Sequence, residues 1–149
     1  MKWLVWALWA SASASVASAT SLQSYAVVGD AIEKSLTGEP GDASRGAGLI
    51  QERHKSLCVL CHAGPFPDPH LQGTLAPDLT GVGARLSAGQ LRLRIVDMKR
   101  LNPDSIMPTY YGIVTNSNDT RVAEGWRGKP VLTAGEIEDL VAYLQALRP

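Results

Sequence analysis

The stretch Cys58-Val59-Leu60-Cys61-His62 decides how this chain folds and what it can bind. Two cysteines separated by two residues and followed at once by a histidine match the attachment site of a c-type haem. The spacing is required because both thiols add across vinyl groups on one side of the porphyrin, and the next residue then lies under the iron. The pattern predicts one covalently attached haem c, with Cys58 and Cys61 as thioethers and His62 as the proximal iron ligand.

Other uses of a C-x-x-C pair fit this sequence less well. A redox disulfide of the thioredoxin type needs a strand-rich βαβ setting, which the sequence lacks. A zinc site could combine Cys58 and Cys61 with His54, His62 or His70, but no second C-x-x-C or H-x₃₋₅-H pair completes a tetrahedral set. A structural disulfide is common in exported chains, but the close spacing and the adjacent histidine argue against one.

The N-terminus has the features of an export signal. Lys2 precedes the apolar run 3–10, and a stretch of small residues ends in Ala17-Ser18-Ala19. A charged start, an apolar segment and an A-x-A site are typical of a signal peptide. We therefore expect residues 1–19 to be removed by cleavage between Ala19 and Thr20, which places the mature protein in the periplasm.

The remaining residues, 20–149, are enough for one compact domain, predicted to be a cytochrome c domain. No segment in them is apolar over the length that a membrane span needs. In the full sequence Lys and Arg together number 14, as do Asp and Glu, and removal of Lys2 with the signal leaves 13 basic side chains. A net charge near zero argues against nucleic acid as a partner.

The segments next to the haem motif are predicted to be a helix before it and a loop after it. Asp42 can cap a helix that continues through Arg53 and leads directly into the motif. The stretch 64–77 is rich in proline and is expected to be a long loop lying against the haem.

Two further helices carry capping boxes. Ser87 with Gln90 predicts a helix over about 88–100, which ends ahead of Pro103. Thr133 with Glu136 begins the C-terminal helix, whose apolar stripe is Ile137, Leu140, Val141, Leu144 and Leu147. Helices before and after haem-wrapping loops are the layout of small cytochromes c. The predicted fold class is all-α, a class I-like cytochrome c domain with helices and loops around one covalent haem.

The sixth iron ligand has few candidates. Once Met1 is removed, Met98 and Met107 remain. Met98 lies on the apolar face of a predicted helix, where a methionine usually fills the core. Met107 lies between Pro103 and Pro108 on a stiff loop, which makes it the preferred axial ligand, although an ordinary buried methionine or a second imidazole from His54 or His70 stays open. A methionine ligand would raise the reduction potential relative to bis-histidine ligation, and a filled sixth position argues against peroxidase or oxygen-binding activity.

A basic run, Arg92, Arg94, Lys99 and Arg100, could offer a surface to an acidic partner or an anionic substrate. Such a run on a helix is more often its solvated face.

Four blocks resemble the SoxX family of monohaem cytochromes c: LCVLCHAGPFP at 57–67, QGTLAPDLTGVGARLS at 72–87, NPDSIMPTYY at 102–111 and RGKPVLT at 127–133. The resemblance covers essentially the whole predicted mature chain. It implies that Cys58 and Cys61 attach the haem and that His62 and Met107 ligate its iron, and all four residues are present.

The resemblance also implies partners. A SoxX protein pairs with SoxA, a dihaem or monohaem cytochrome that carries the catalytic haem. The pair oxidatively couples thiosulfate to a cysteine of the carrier protein SoxYZ, as a heteromeric L-cysteine S-thiosulfotransferase. This chain would be its electron-accepting subunit, with no catalytic residue of its own, and would pass electrons to a small cytochrome c.

The residues independently favour such a division of labour. Forming a sulfur–sulfur bond needs a thiol or persulfide nucleophile, and the haem would consume both cysteines of this chain. The alternative function is a freely diffusing periplasmic electron shuttle that serves several donors through small contacts.

Overall fold

The computed structural model describes residues 22–113, 125 and 127–149. This part of the chain contains five α-helices and two 3₁₀ turns. The helices are α1 Ala43–Leu49, α2 Cys58–Cys61, α3 Val82–Arg85, α4 Ala88–Asp97 and α5 Ala134–Ala146, and the 3₁₀ turns are Pro69–Leu71 and Met98–Arg100. Strand pairing among the described residues is limited to an isolated bridge between Val28 and Ala31. The predicted all-α class is therefore confirmed, while the predicted signal peptide, 1–19, lies outside the described residues.

The predicted helix starts are confirmed at atomic detail. The Ser87 hydroxyl accepts from the Gln90 N–H at 3.2 Å, and the Gln90 side chain accepts from the Ser87 N–H at 2.9 Å. Thr133 and Glu136 form the same reciprocal pair at the start of α5. Asp42 caps α1 by accepting from two backbone N–H groups of its first turn.

The predicted end of α1 is wrong. The helix stops at Leu49 instead of running through Arg53. The Ser56 hydroxyl donates to Leu49 O at 2.5 Å and to Glu52 O at 3.1 Å, so the chain turns back before it reaches the cysteines. The helix predicted over 88–100 has the expected extent, but its last turn tightens into the 3₁₀ turn Met98–Arg100, where Asp97 accepts from the Lys99 N–H.

The C-terminal helix α5 is the centre of the scaffold and packs against α1, α3 and α4. Ile137, Leu140, Val141 and Leu144 of its predicted stripe are buried. A Cβ built on Gly46 of α1 would lie 2.1 Å from Asp139 O, and one on Gly83 of α3 would lie 2.3 Å from Gln145 O. Glycine at these two positions therefore lets the neighbouring backbones touch α5 directly.

The basic run, which spans α4 and the following 3₁₀ turn, does not form a single solvated face. Arg92 is buried and forms an ion pair with Glu138 of α5, with Nε 2.7 Å from Oε1. Its Nη1 also donates to Ile32 O at 2.6 Å, and Glu138 accepts from the Leu36 N–H at 2.8 Å. The pair thus ties the N-terminal segment to both helices, and Arg92 cannot contribute to a docking surface.

Among the described residues, no helix is long and apolar enough to cross a membrane.

Candidate haem site

The two cysteines share one short helical turn. Leu57 precedes them in the left-handed region at φ 61°, and α2 then spans Cys58–Cys61. Residues three apart on a helix are neighbours on one face, so the turn presents both thiols on the same side. His62 follows in an extended conformation, with its N–H donating to Cys58 O at 2.9 Å.

The His62 ring is oriented by a backbone carbonyl. Its Nδ1 lies 2.7 Å from Pro77 O. A carbonyl oxygen can only accept, so Nδ1 carries a proton, and in the neutral imidazole Nε2 is then the nitrogen with the lone pair. Histidines that bind metals are commonly held in this way, because the second hydrogen bond fixes both tautomer and ring direction. The arrangement leaves Nε2 suited to bind iron.

The predicted loop 64–77 lies directly on the motif. The Gly73 N–H donates to Val59 O at 2.8 Å, and the Ala76 N–H donates to Cys61 O at 2.9 Å. A Cβ on Gly73 would lie 2.0 Å from Leu60 O, so a side chain would push the loop off the motif. These contacts bring Pro77 within reach of His62. The segment is a loop as predicted, with the addition of the 3₁₀ turn Pro69–Leu71. Its place against a haem stays a prediction.

Gln72 holds the loop in shape from within. Its side-chain oxygen accepts from the Gly64 N–H at 2.8 Å, and its Nε2 donates to Phe66 O at 2.9 Å. Arg53 adds a bond from Nη1 to Leu71 O at 2.9 Å. Each of these bonds joins a side chain to a backbone group and adds to the backbone bonds of the 3₁₀ turn in fixing the form of the loop.

The thiols do not resemble a redox pair. Both are free in the described structure. Burial raises the pKa of the Cys58 thiol, whereas a reactive redox cysteine needs a lowered pKa. His54 and His70 are exposed. Among the described residues, no three His, Cys, Asp or Glu side chains are grouped to hold a metal ion, so the zinc alternative gains no support.

Met107 lies on an anchored loop. It is half-buried and packs against the core, and its N–H donates to the Ser105 hydroxyl at 3.2 Å. Downstream, the Tyr110 carbonyl accepts from the Leu132 N–H at 3.0 Å, and the Tyr111 N–H donates to Val96 O at 3.2 Å.

Tyr110 and Ser56 connect the Met107 loop to the cysteine segment. The Tyr110 hydroxyl donates to Ser56 O, two residues ahead of Cys58. Burial raises the pKa of this hydroxyl, so it stays protonated and remains a donor.

The residues fit a haem in donor chemistry, and exposed apolar side chains lie on the segments that carry the donors. Six large apolar side chains stand out as exposed among the described residues, and four of them belong to the segments just described: Leu60, Leu71, Leu75 and Ile106. Apolar surface of this kind usually marks a binding site, and a flat porphyrin would cover it. His62 offers an imidazole nitrogen and Met107 a thioether, which are known haem-iron ligands.

Three contributors to the site have no signal in the sequence that assigns their roles. Pro77 acts through its backbone carbonyl, and Gln72 and Tyr110 act on backbone groups. Proline, glutamine and tyrosine in a loop predict none of these contacts. Their positions were contained in the blocks that resemble SoxX proteins, but the resemblance did not say what they do.

Fold and site together define a small, all-α, cytochrome c-like domain. No family model and no curated protein matches the chain. Among solved structures it is similar to a chain in the crystal structure of SoxXA from P. pantotrophus, with 34% sequence identity and a TM-score of 0.72. The similarity covers 84% of this chain and 95% of the other. The chain therefore belongs to the SoxX family.

Proposed function

We propose that this protein is an electron-transfer cytochrome that holds one haem c through Cys58 and Cys61, with His62 and Met107 as the iron ligands. The observation that carries the proposal is the hydrogen bond from His62 Nδ1 to Pro77 O. It fixes the ring of a histidine that directly follows two cysteines on one helical turn.

The chain's own residues do the positioning, and the haem, when bound, supplies a one-electron couple. Pro77 fixes the ring of His62. Met107, as the second axial ligand, would close the open side of the iron against water and peroxide and favour a high reduction potential. The loop 64–77 would hold the cysteine segment in place through its bonds to Val59 O and Cys61 O. None of these residues acts on a substrate.

We propose further that this cytochrome is the electron-accepting subunit of a complex with a SoxA-like cytochrome. The solved relative is a SoxXA structure, which supports an assembly of this kind. In the complex, thiosulfate would be coupled oxidatively to a cysteine of a SoxYZ-like carrier, as in an L-cysteine S-thiosulfotransferase. Forming a sulfur–sulfur bond needs a sulfur nucleophile. Both cysteines of this chain are assigned to the haem, so the nucleophile must come from a partner.

The cell compartment is also part of the proposal. The sequence features of residues 1–19 support export and cleavage between Ala19 and Thr20. Haem attachment and electron transfer to a downstream small cytochrome c would then take place in the periplasm. Mass spectrometry of the mature protein tests this directly: a chain that begins at Thr20 and carries one haem is expected. A retained N-terminus would contradict the cleavage.

The ligand assignment is tested by Met107→Ala in the haem-loaded protein, with Met98→Ala as the matched control. Met107→Ala is expected to abolish the methionine-to-iron charge-transfer band and to lower the reduction potential. Met98→Ala should leave both unchanged. If the two variants show the opposite pattern, Met98 is the ligand. If neither changes the band or the potential, His70→Ala and His54→Ala identify a bis-histidine site.

The assembly is tested with tagged, haem-loaded mature protein isolated from periplasm. Co-purification of a second cytochrome, and reduction of this haem by thiosulfate only when the carrier protein is present, are expected. A lone monohaem protein that is reduced by generic donors, and not by thiosulfate with the carrier, would instead identify a diffusing electron shuttle.

A further inference from the structure

One hydrogen bond joins the two segments that carry the proposed iron ligands. The Tyr110 hydroxyl donates to the backbone oxygen of Ser56. Tyr110 follows Met107 by three residues, and Ser56 precedes Cys58 by two. Both residues are buried, Tyr110 at 3% and Ser56 at 0% exposure. The bond therefore lies between the two sides of the proposed site and away from solvent.

Both ends of this bond are rigidly held. The Ser56 hydroxyl donates to Leu49 O and Glu52 O, which fixes its segment to the end of α1. On the other side, the Tyr110 carbonyl accepts from the Leu132 N–H at 3.0 Å. Because both groups are fixed, the bond between them sets the distance between the cysteine segment and the Met107 loop.

The remaining hydrogen bonds of the Met107 loop do not set that distance. Those described for residues 101–109 stay within the loop and its preceding 3₁₀ turn, or reach α4 through Thr109 Oγ1 and Asp97 Oδ1 at 2.9 Å. They determine the shape of the loop and its position on α4. The contact that ties it to the cysteine segment is made by Tyr110.

We propose that Tyr110 is a positioning residue for Met107, which it holds at bonding distance from the haem iron through the hydrogen bond to Ser56. The inference rests on the proposed ligand pair. A thioether is a weak ligand, so a small outward shift of its loop breaks the iron–sulfur contact. Without the hydroxyl, the loop would have a larger open fraction in which the sixth position is free.

The test measures imidazole binding to the ferric, haem-loaded protein. An external ligand binds only when Met107 is displaced, so its apparent affinity is proportional to the open fraction. Loss of one net hydrogen bond changes such an equilibrium roughly fivefold. Tyr110→Phe is expected to bind imidazole roughly fivefold more tightly than wild type, with a weaker methionine-to-iron band and a lower reduction potential.

Tyr111→Phe is the matched control. Tyr111 is equally buried, at 3% exposure, and its hydroxyl accepts from the Gln23 N–H at 2.8 Å. That bond reaches the N-terminal segment and not the cysteine segment. Tyr111→Phe should reduce stability but leave imidazole affinity, band and potential as in wild type.

A second variant perturbs the bond from its other end. Ser56→Ala keeps the carbonyl but removes the two bonds that hold it, so it should tighten imidazole binding in the same direction as Tyr110→Phe. Equal imidazole affinities for Tyr110→Phe and Tyr111→Phe would overturn the inference. Met107→Ala separates this result from a failure of the ligand assignment. If Met107→Ala binds imidazole no more tightly than wild type, Met107 is not the ligand, and the proposed ligand pair and this inference both fall.

Discussion

Replacement of Glu138 by alanine is expected to be one of the most destabilising single changes in the chain. The Glu138 carboxylate accepts from Arg92 Nε at 2.7 Å, from Arg92 Nη2 at 2.8 Å and from the Leu36 N–H at 2.8 Å. The two charged side chains are 6% and 3% exposed. The truncation leaves the Arg92 charge buried without a carboxylate and the Leu36 N–H without its acceptor.

The size of the effect follows from burial. Removal of one partner from a buried ion pair typically costs about 3–5 kcal/mol of the free energy of unfolding, because the remaining charge is left uncompensated. For a domain of this size, such a loss lowers the melting temperature by roughly 10–20 °C. A surface pair that links α4 to the N-terminal segment provides the comparison. Arg94 and Asp30 lie 3.3 Å apart with side chains 26% and 50% exposed, so Asp30→Ala should cost less than about 1 kcal/mol.

The assay is urea unfolding of the haem-loaded protein, followed by far-ultraviolet circular dichroism and by haem absorbance. If the free energy of unfolding falls with urea concentration at the same slope in wild type and variants, the change lies in stability and not in the unfolded state. The double variant Arg92→Met with Glu138→Leu removes both charges. It should recover most of the loss, because a buried pair is often replaceable by apolar residues. A residual deficit of about 1 kcal/mol for each unpaired backbone group at Leu36 and Ile32 is expected.

Two results would refute this reasoning. If Glu138→Ala lowers the free energy of unfolding no more than Asp30→Ala does, burial of the Arg92–Glu138 pair does not leave an uncompensated charge. If the double variant is as unstable as Glu138→Ala, the loss comes from damaged packing and not from an uncompensated charge.

Three further changes test the scaffold and the loop contact. Gly46→Ala should lower the free energy of unfolding by at least about 1–3 kcal/mol, because its Cβ would lie 2.1 Å from Asp139 O. Gly48→Ala in the same helix meets nothing within 4 Å and should raise it by about 0.5–1 kcal/mol. Urea unfolding measures both changes. Arg45 lowers the pKa of Asp139 by hydrogen bonding, so this carboxylate stabilises the fold above its unfolded pKa of about 4 and loses that effect as the pH falls through the folded value. Asp139→Asn should therefore be less stable than wild type near neutral pH, and the difference in free energy of unfolding should shrink in acid. A difference that stays constant across pH would contradict this. Gly73→Ala should reduce haem loading, measured as haem absorbance per protein, because the loop can no longer lie on the motif.

The elements that the sequence predicts correctly depend on local chemistry. A capping box is complete within four residues, so Ser87 with Gln90 and Thr133 with Glu136 mark their helices without help from the rest of the chain. The stripe on α5 is equally local, since burial repeats with the helical period. The prediction for α1 was wrong at its C-terminal end because the residue that turns the chain, Ser56, is seven positions beyond Leu49.

The contacts that sequence reasoning missed join distant residues. Arg92 and Glu138 are 46 positions apart, and Tyr110 and Ser56 are 54 apart. A charged residue on a helix predicts exposure in the absence of a known partner, so the sequence alone places Arg92 in a solvated basic run. At the site, the attachment motif was visible because its chemistry needs fixed spacing. The carbonyl of Pro77 was not, because every residue has a carbonyl and only the fold decides which one faces His62.

The scaffold and the site are stabilised by different interactions, and this difference predicts how variants will behave. The helices α1, α3, α4 and α5 are held by close backbone packing and a buried ion pair. The segments around His62 and Met107 are held largely by single hydrogen bonds onto backbone groups, such as those of Gln72 and Tyr110. Changes in the scaffold should therefore reduce the free energy of unfolding while the haem spectrum of the folded protein stays constant. Changes at Gln72 or Tyr110 should alter the spectrum and potential at a smaller cost in stability, because they remove a few hydrogen bonds of about 1 kcal/mol each that shape the segments carrying the ligands.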